Sequence, residues 1–269
     1  MALQTAEKRA TVPLDAAVRT DTWWLKPLFT VVGLSIFVMY ATWRMFENDF
    51  YNAEKMLNPL PYLSPFYSPL IPLNLEIAGW AVSPAMYVLV FPLSFRMTCY
   101  YYRQAYYRSF FLDPAGCAVP EPSLRKKYNG ERSFPFVLQN LHRYTLYAAI
   151  GFLGFLAYDA GKAFFFHGQF GVGVGSLVLL ANILLLCGYT FGCHSFRHIM
   201  GGRLDCFTCP MGNDHAKAKV KTGYHAWKIV TIFNVNHMQW AWCSLFGVIL
   251  TDLYIRSVIV GIIPDYRFF

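Results

Sequence analysis

The sequence predicts an all-α integral membrane protein, a bundle of five transmembrane helices with its amino terminus in the cytoplasm. Of its 269 residues, 56% are hydrophobic and only 14% are charged, whereas soluble domains carry about 25% charged residues. Five apolar segments approach the roughly 17–25 residues that a helical span requires. Their charge-free cores are 27–43, 77–95, 144–158, 163–196 and 229–251.

We expect one membrane-anchor domain over 1–269. No cleavable signal peptide is expected, because the chain is polar up to Thr22 and its first apolar run lacks a small-residue cleavage site. Pro84 and Pro92 indicate a bent second span. The predicted spans are roughly 26–46, 76–103, 137–166, 171–200 and 225–257.

The distribution of basic residues predicts the orientation. Segments 1–26, 96–143 and 197–228 contain 18 lysines and arginines, and the segments that alternate with them contain 5. Basic loops favour the cytoplasmic side, so we predict a multi-pass membrane protein with its amino terminus inside and its carboxyl terminus outside. The net charge of +8 then reflects topology and lipid contact, and no nucleic-acid partner is expected.

Thiols and imidazoles are concentrated where the fourth span ends. Cys206 and Cys209 have the spacing at which two thiolates can bind one metal ion, and His198 lies eight residues before them. His194 and His198 share a helix face at i and i+4, with Cys193 beside them. The sequence therefore predicts a metal site toward the cytoplasmic side, where structural disulfides are rare.

A further histidine lies inside the fifth span. His237 belongs to the polar patch 234–240, and polar groups at membrane depth usually face the bundle interior, where they serve a function. The remaining cysteines are isolated, and each is interpreted as a small buried hydrophobe. These are Cys99, Cys117, Cys187 and Cys243.

Three cofactors compete for these donors. A Rieske-like [2Fe–2S] cluster takes two cysteines on one iron and two histidines on the other, and it uses the cysteine pair with two nearby imidazoles. Haem b takes two histidines from facing helices and leaves the cysteine pair without a role. A structural zinc ion is the third interpretation. The predicted metal ligands are His198, Cys206, Cys209 and His237, with His194 and Cys193 in reserve.

Three stretches of the second half resemble the membrane anchor subunit of bacterial succinate dehydrogenases. They are Asn-Leu-His-Arg-Tyr at 140–144, Cys-His-Ser-Phe-Arg-His with two glycines at 193–202, and the tail 240–256, which ends in Thr-Asp-Leu-Tyr-Ile-Arg. The chain is most similar to actinobacterial single-chain anchors. The motifs cover about its last half, and length and span count extend the resemblance to the whole chain.

The resemblance implies a subunit that binds the iron–sulfur subunit of a soluble flavoprotein and iron–sulfur pair and reduces menaquinone or another quinone. It implies electron transfer through a membrane-embedded Rieske-type cluster rather than haem. Dihaem anchors also take axial histidines from their first two spans, and every histidine here lies at or beyond residue 142. The alternative function is a haem b subunit of another respiratory enzyme. A further small membrane subunit is left open, and the anchor alone is not a catalyst for succinate.

A quinone site and a docking surface complete the prediction. A quinone needs an apolar slot, donors for its carbonyl oxygens and a proton supply. We predict this site from His142, Arg143, Tyr224 and Trp227, with the outer half near His167 and Asp252 as the alternative. Segment 99–141, with Arg103 and Arg108, is the predicted platform for the soluble subunits, helped by Lys217, Lys219 and Lys221. Its tyrosines and arginines are typical of interface hot spots, although aromatic belts also mark membrane boundaries.

Overall fold

The computed structural model of the chain describes residues 21–55, 59–71, 73, 75–77, 79–112, 132, 134, 136–201 and 214–269. This part of the chain is mostly α-helical, as predicted. Its helices are α1 Leu25–Glu47, α2 Pro84–Val88, α3 Val90–Thr98, α4 Tyr100–Phe110, α5 His142–Lys162, α6 Val174–Phe191, α7 His194–Gly201, α8 Asp214–Val235 and α9 His237–Val260.

Helices α1, α6 and α9 are each long and apolar enough to cross a membrane. Large apolar side chains on these helices point away from the rest of the bundle, including Met39 at 65% exposed and Leu250 at 62% exposed. Contiguous apolar surface of this kind is rare on soluble monomers. Contact with lipid explains it.

The second predicted span is broken rather than continuous. Strand β1 (Glu76–Ile77) pairs antiparallel with β2 (Trp80–Ala81), where the prediction placed the start of a helix. Helix α2 begins only at Pro84, a residue that suits a first helical turn because the missing N–H has no partner there. Leu89 keeps helical backbone angles, and its amide donates to the Ala85 carbonyl at 3.0 Å, so α2 runs into α3. The chain leaves the helical conformation at Cys99, seven residues after Pro92.

The later predicted spans are interrupted as well. A 3-10 turn over Phe136–Leu141 leads into α5, and strands β3 (Phe165–Phe166) and β4 (Gln169–Phe170) form a hairpin between α5 and α6. Gly192 and Cys193 separate α6 from α7, and Asn236 separates α8 from α9. Asn234 Nδ2 donates to the Gly192 carbonyl at 2.8 Å, so the interior of the bundle satisfies a carbonyl at the break.

The helices form a bundle with two distinct ends. Helix α6 packs against α5 and α9, α3 packs against α5, and α1 packs against α4 and α9. Phe95, near the end of α3, stacks on His142 at the start of α5 with ring centroids 4.9 Å apart. The Tyr40 hydroxyl of α1 donates to Asp252 of α9 at 2.6 Å. We call these the His142 end and the Asp252 end.

Buried charges close the Asp252 end. The fully buried Asp252 carboxylate accepts hydrogen bonds from Arg256 Nε at 2.9 and 3.0 Å and from the hydroxyls of Tyr40 and Ser64. Arg256 also pairs with Glu47 at 2.9 Å. A buried charge is tolerated only when it is paired and hydrogen-bonded. The network therefore ties α1, α9 and the segment that carries Ser64 together.

A second cluster of polar groups at the same end holds the carboxyl-terminal tail. Asp265 accepts from the hydroxyls of Tyr62 and Tyr254, each at 2.7 Å, and from the Gly175 amide at 2.9 Å. Burial, together with the Asp265 carboxylate, raises the pKa of Tyr62, so this phenol stays protonated and donates. Asp265 thereby fixes the tail against the start of α6.

Candidate metal centre

Four soft donors meet at the His142 end, and each lies at a helix boundary. Cys99 lies between α3 and α4 with an extended backbone (φ −60°, ψ 131°). His142 and His237 are the first residues of α5 and α9, and Cys193 lies between α6 and α7. Within a helix the 3.6-residue periodicity determines the direction of each side chain, and a residue at a helix break is not bound by it. The four boundaries therefore bring donors from four parts of the chain to one place.

The donors form two contacting pairs. His142 Nε2 lies 2.9 Å from Cys193 Sγ, and His237 Nε2 lies 3.4 Å from Cys99 Sγ. The pairs are themselves near each other, because Phe95, which stacks on His142, lies with its ring centroid 5.4 Å from that of Tyr189, which stacks on His237. Cys99 and Cys193 are each 1% exposed, and His142 is 2% exposed. The two thiols and the His142 imidazole are thus shielded from solvent, and His237 is half-buried beside them.

Thr98 orients the His142 ring. Its hydroxyl lies 2.8 Å from the Ser94 carbonyl oxygen and 3.0 Å from His142 Nδ1. Since a carbonyl can only accept, we assign the hydroxyl proton to the bond with Ser94 and the imidazole proton to Nδ1. This tautomer leaves a lone pair on Nε2, the atom that faces Cys193. A metal-ligating imidazole requires that arrangement.

Aromatic rings cover both imidazoles. Phe95 stacks on His142 with an interplanar angle of 11°. Tyr189 stacks on His237 with ring centroids 5.1 Å apart and an angle of 10°. Tyr100 approaches His142 edge-on at 5.9 Å. These rings restrict the imidazoles to one orientation and exclude water from the donors.

The predicted metal ligands are only partly brought together. His237 contacts Cys99 as described, but His198 lies in α7 with Nε2 3.0 Å from His194 Nε2, and both of these imidazoles are exposed. Cys206 and Cys209 lie outside the described residues, as does Cys117. Cys193, a reserve candidate, contacts His142, which the sequence had suggested for quinone binding.

The predicted quinone residues lie in different surroundings. His142 is buried, with both ring nitrogens in contact with Thr98 and Cys193, whereas Arg143 is exposed at the first turn of α5. Tyr224 and Trp227 stack on each other on α8 at 6.2 Å, and the Arg197 guanidinium lies 4.6 Å from the Trp227 ring.

Cys99 is the member of this group that the sequence did not single out, because an isolated cysteine is usually a small buried hydrophobe. A signal for it was nevertheless present. The alternation of basic segments places the ends of spans two and four and the starts of spans three and five on the same side. Cys99, His142, Cys193 and His237 all lie near those ends.

Long apolar helices around a buried group of thiols and imidazoles define a helical membrane protein whose donors suit a redox metal centre. The chain belongs to the family described as actinobacterial succinate dehydrogenase subunit SdhC, which matches residues 25–261. It is therefore a membrane anchor subunit of succinate dehydrogenase, and the family resemblance seen in its motifs is confirmed. Its partners are other subunits of that complex.

A solved structure agrees with this assignment. The chain is similar to one in the structure described as the Mycobacterium smegmatis Sdh1 complex in the apo form, with 41% sequence identity, coverage of 98% of each chain and a TM-score of 0.82. No curated protein matches the chain.

Proposed function

We propose that this subunit passes electrons from the iron–sulfur subunit of succinate dehydrogenase to a quinone, and that it holds a Rieske-like [2Fe–2S] cluster for this purpose. In this proposal α1, the segment from α2 through α3, α5, α6 and α9 are the five spans of a bacterial plasma-membrane protein. The amino terminus and the His142 end face the cytoplasm, as the basic residues indicate. The soluble partners are the iron–sulfur and flavoprotein subunits, and the quinone is menaquinone or a related compound.

The convergence of Cys99, Cys193, His142 and His237 is the observation that carries the cluster proposal. Two thiols and two imidazoles are the ligand types of a Rieske centre. As the structure stands, the described residues contain no group of three or more histidine, cysteine or acidic side chains placed to hold a metal ion. The four donors contact each other as two mixed cysteine–histidine pairs, whereas a Rieske centre takes two cysteines on one iron and two histidines on the other. The cluster proposal therefore rests on the donor types and on their common location, and it requires the donors to exchange partners when the cluster binds.

The roles of the protein side chains follow from their contacts. Thr98 holds the Nδ1 proton of His142 and so keeps Nε2 available as a ligand. Phe95 and Tyr189 fix the planes of the two imidazoles, while burial keeps water from the thiols. When bound, the cluster would supply a one-electron carrier inside the bundle.

The ligand set read from the sequence remains a distinct proposal. It shares His237 with the set above but takes His198, Cys206 and Cys209 as the other ligands. The two sets differ in which cysteines are essential, so cysteine substitutions separate them. Cys243 provides a matched control because it is exposed and belongs to neither set.

A haem b centre is the second candidate and is less well supported. A bis-histidine haem holds its macrocycle between two imidazoles. Here the free Nε2 atoms of His142 and His237 each face a thiol. Aromatic side chains occupy the flanking space. This arrangement favours a small cluster over a flat macrocycle.

The test uses the purified complex carrying Cys99→Ser, Cys206→Ser or Cys243→Ser. We expect Cys99→Ser to remove the membrane [2Fe–2S] EPR signal and about two iron atoms per complex, with the partner's clusters as internal standard. Cys206→Ser and Cys243→Ser should retain both. Loss of the signal only in Cys206→Ser would establish the other ligand set. A Soret band, or zinc in place of the iron, would refute the cluster altogether.

A further inference from the structure

Two exposed imidazoles on α7 form a pair that lies outside the candidate metal centre. His194 and His198 are four residues apart in this helix and therefore share one of its faces. Their Nε2 atoms lie 3.0 Å apart, and their ring centroids are 4.4 Å apart. Both side chains are exposed, so an ion dissolved in water can reach them.

The contact between the two rings marks the place where an ion would bind. A neutral imidazole has one donor nitrogen and one acceptor nitrogen, so one of the two Nε2 atoms donates its proton to the lone pair of the other. Both nitrogens therefore point into the same small volume. If the donating ring carries its proton on Nδ1 instead, two lone pairs converge there, which is the arrangement that a metal ion requires.

The distance between the two nitrogens suits a tetrahedral metal ion. Two zinc–nitrogen bonds of about 2.05 Å at the tetrahedral angle place their nitrogens about 3.3 Å apart. The observed separation of 3.0 Å differs from this by only a few tenths of an ångström, and a small rotation of either exposed ring supplies the difference. Because both ligands lie on one helix, little rearrangement of the backbone accompanies binding.

The neighbouring side chains leave the pair open to an ion. Arg197 lies between the two histidines in sequence, but its side chain is directed to α8. There its Nε donates to Thr231 Oγ1 at 3.1 Å, and its guanidinium lies 4.6 Å from the Trp227 ring centroid. Within the described residues no third histidine, cysteine or acidic side chain joins the pair. Water would therefore complete the coordination of a bound ion.

We infer that His194 and His198 bind a divalent transition-metal ion, and that the ion is Zn²⁺. Imidazole is a preferred ligand of zinc, which has no geometric preference of its own and accepts water beside protein ligands. Two protein ligands make an open site with exchangeable zinc, unlike a closed four-ligand structural site. The site is separate from the donors Cys99, Cys193, His142 and His237. It excludes the ligand set that assigns His198 to iron.

Equilibrium dialysis of the purified complex against Zn²⁺ tests the site with three glutamine substitutions. We expect His194→Gln and His198→Gln each to weaken the binding of one zinc ion per complex by more than about tenfold, since even loss of an outer-shell partner costs 10–100-fold. His225→Gln, at an exposed histidine of α8, should match the parent. Equal zinc binding in all four complexes would overturn the inference. So would loss of the membrane [2Fe–2S] EPR signal in His198→Gln, because this histidine would then bind iron.

Chemical modification of the parent complex locates the zinc ion without any substitution. Diethyl pyrocarbonate acylates exposed neutral imidazoles, and mass spectrometry of the peptides measures each histidine separately. Zn²⁺ should protect His194 and His198 but not His225, and a chelator should restore their reactivity. Equal protection of all three histidines, or none at His194 and His198, would overturn the inference. So would a pair that the reagent does not reach in the zinc-free complex, because a partner subunit would then cover it.

Discussion

His142 Nε2 lies 2.9 Å from Cys193 Sγ, although the two residues are 51 positions apart in the chain. The contact joins the first residue of α5 to the break that follows α6. It places His142 beside a thiol, whereas the sequence interpretation assigned this residue to the quinone site. Substitution of this histidine therefore separates the two interpretations.

The first prediction compares His142→Leu with Arg143→Leu in the assembled complex. Loss of one imidazole should abolish the membrane [2Fe–2S] EPR signal, because the alkyl side chain of leucine cannot replace the imidazole as an iron ligand. The exposed Arg143 should be dispensable for the signal. A His142→Leu complex with a normal EPR signal and only a raised quinone KM would instead support the site predicted from His142, Arg143, Tyr224 and Trp227.

A second prediction concerns the close approach of α6 and α9. A Cβ atom on Gly188 would lie 2.5 Å from the Trp240 ring, whereas nothing lies within 4 Å of one on Gly154. Gly188→Ala should therefore lower stability by about 1–3 kcal/mol through overpacking, and Gly154→Ala should not. Trp240 is three residues after His237, so the same change should alter the line shape of the cluster EPR signal.

Thermal unfolding of the purified complex and EPR of the same samples measure both effects. A Gly188→Ala complex with the stability and spectrum of Gly154→Ala would show that Trp240 moves aside freely. The α6–α9 contact would then not position His237.

The helical class and the family could be predicted from the sequence, because they depend on composition and on motifs that are local in the chain. Apolar run length placed α1 closely, from 25 to 47 against a predicted 26 to 46. The same reasoning missed the breaks at Cys99 and Asn236, since uninterrupted apolar patterns do not reveal where tertiary contacts replace helical hydrogen bonds. Such breaks depend on partners like Asn234, which caps a carbonyl 42 residues away.

The donors of the candidate metal centre were harder to predict for the same reason. Cys206 and Cys209 were predicted as metal ligands because their spacing is a pattern that is local in the sequence. Cys99 and His237 are 138 positions apart and meet only through the packing of four helix ends. Sequence reasoning did single out His237 from the cost of burying polar groups, and that residue lies in the cluster of donors.

A third prediction tests the charge network at the Asp252 end. Asp252→Asn should destabilise the protein by roughly 1–3 kcal/mol, because the buried Arg256 loses one of its two carboxylate partners and keeps only Glu47. The control is Glu54→Gln, which removes an ion pair with Lys162 whose side chains are 47% and 52% exposed. That surface pair should contribute less than about 1 kcal/mol.

Unfolding midpoints of the two variants in the same detergent provide the comparison. Equal midpoints would mean that water or a rearranged Glu47 compensates Arg256. Because Asp252 lies far along α9 from His237, the cluster EPR signal should be normal in both. Loss of quinone reduction with normal stability and a normal signal would favour the outer quinone site near Asp252 that the sequence left open.

The last prediction concerns docking of the soluble subunits. Helix α4 begins one residue after Cys99 and carries Arg103, whose guanidinium lies 4.5 Å from the Tyr100 ring centroid, and Arg108. A partner bound along α4 would therefore lie next to the metal centre. Arg103→Glu together with Arg108→Glu should weaken the complex by about 2 kcal/mol or more, since like charges across an interface cost several kcal/mol. We expect the flavoprotein and iron–sulfur subunits in the supernatant of washed membranes.

The control Lys55→Glu reverses an exposed charge next to the segment that carries Ser64, and its membranes should retain both soluble subunits. If the double variant retains them equally well at every salt concentration, the basic residues of α4 serve membrane orientation alone.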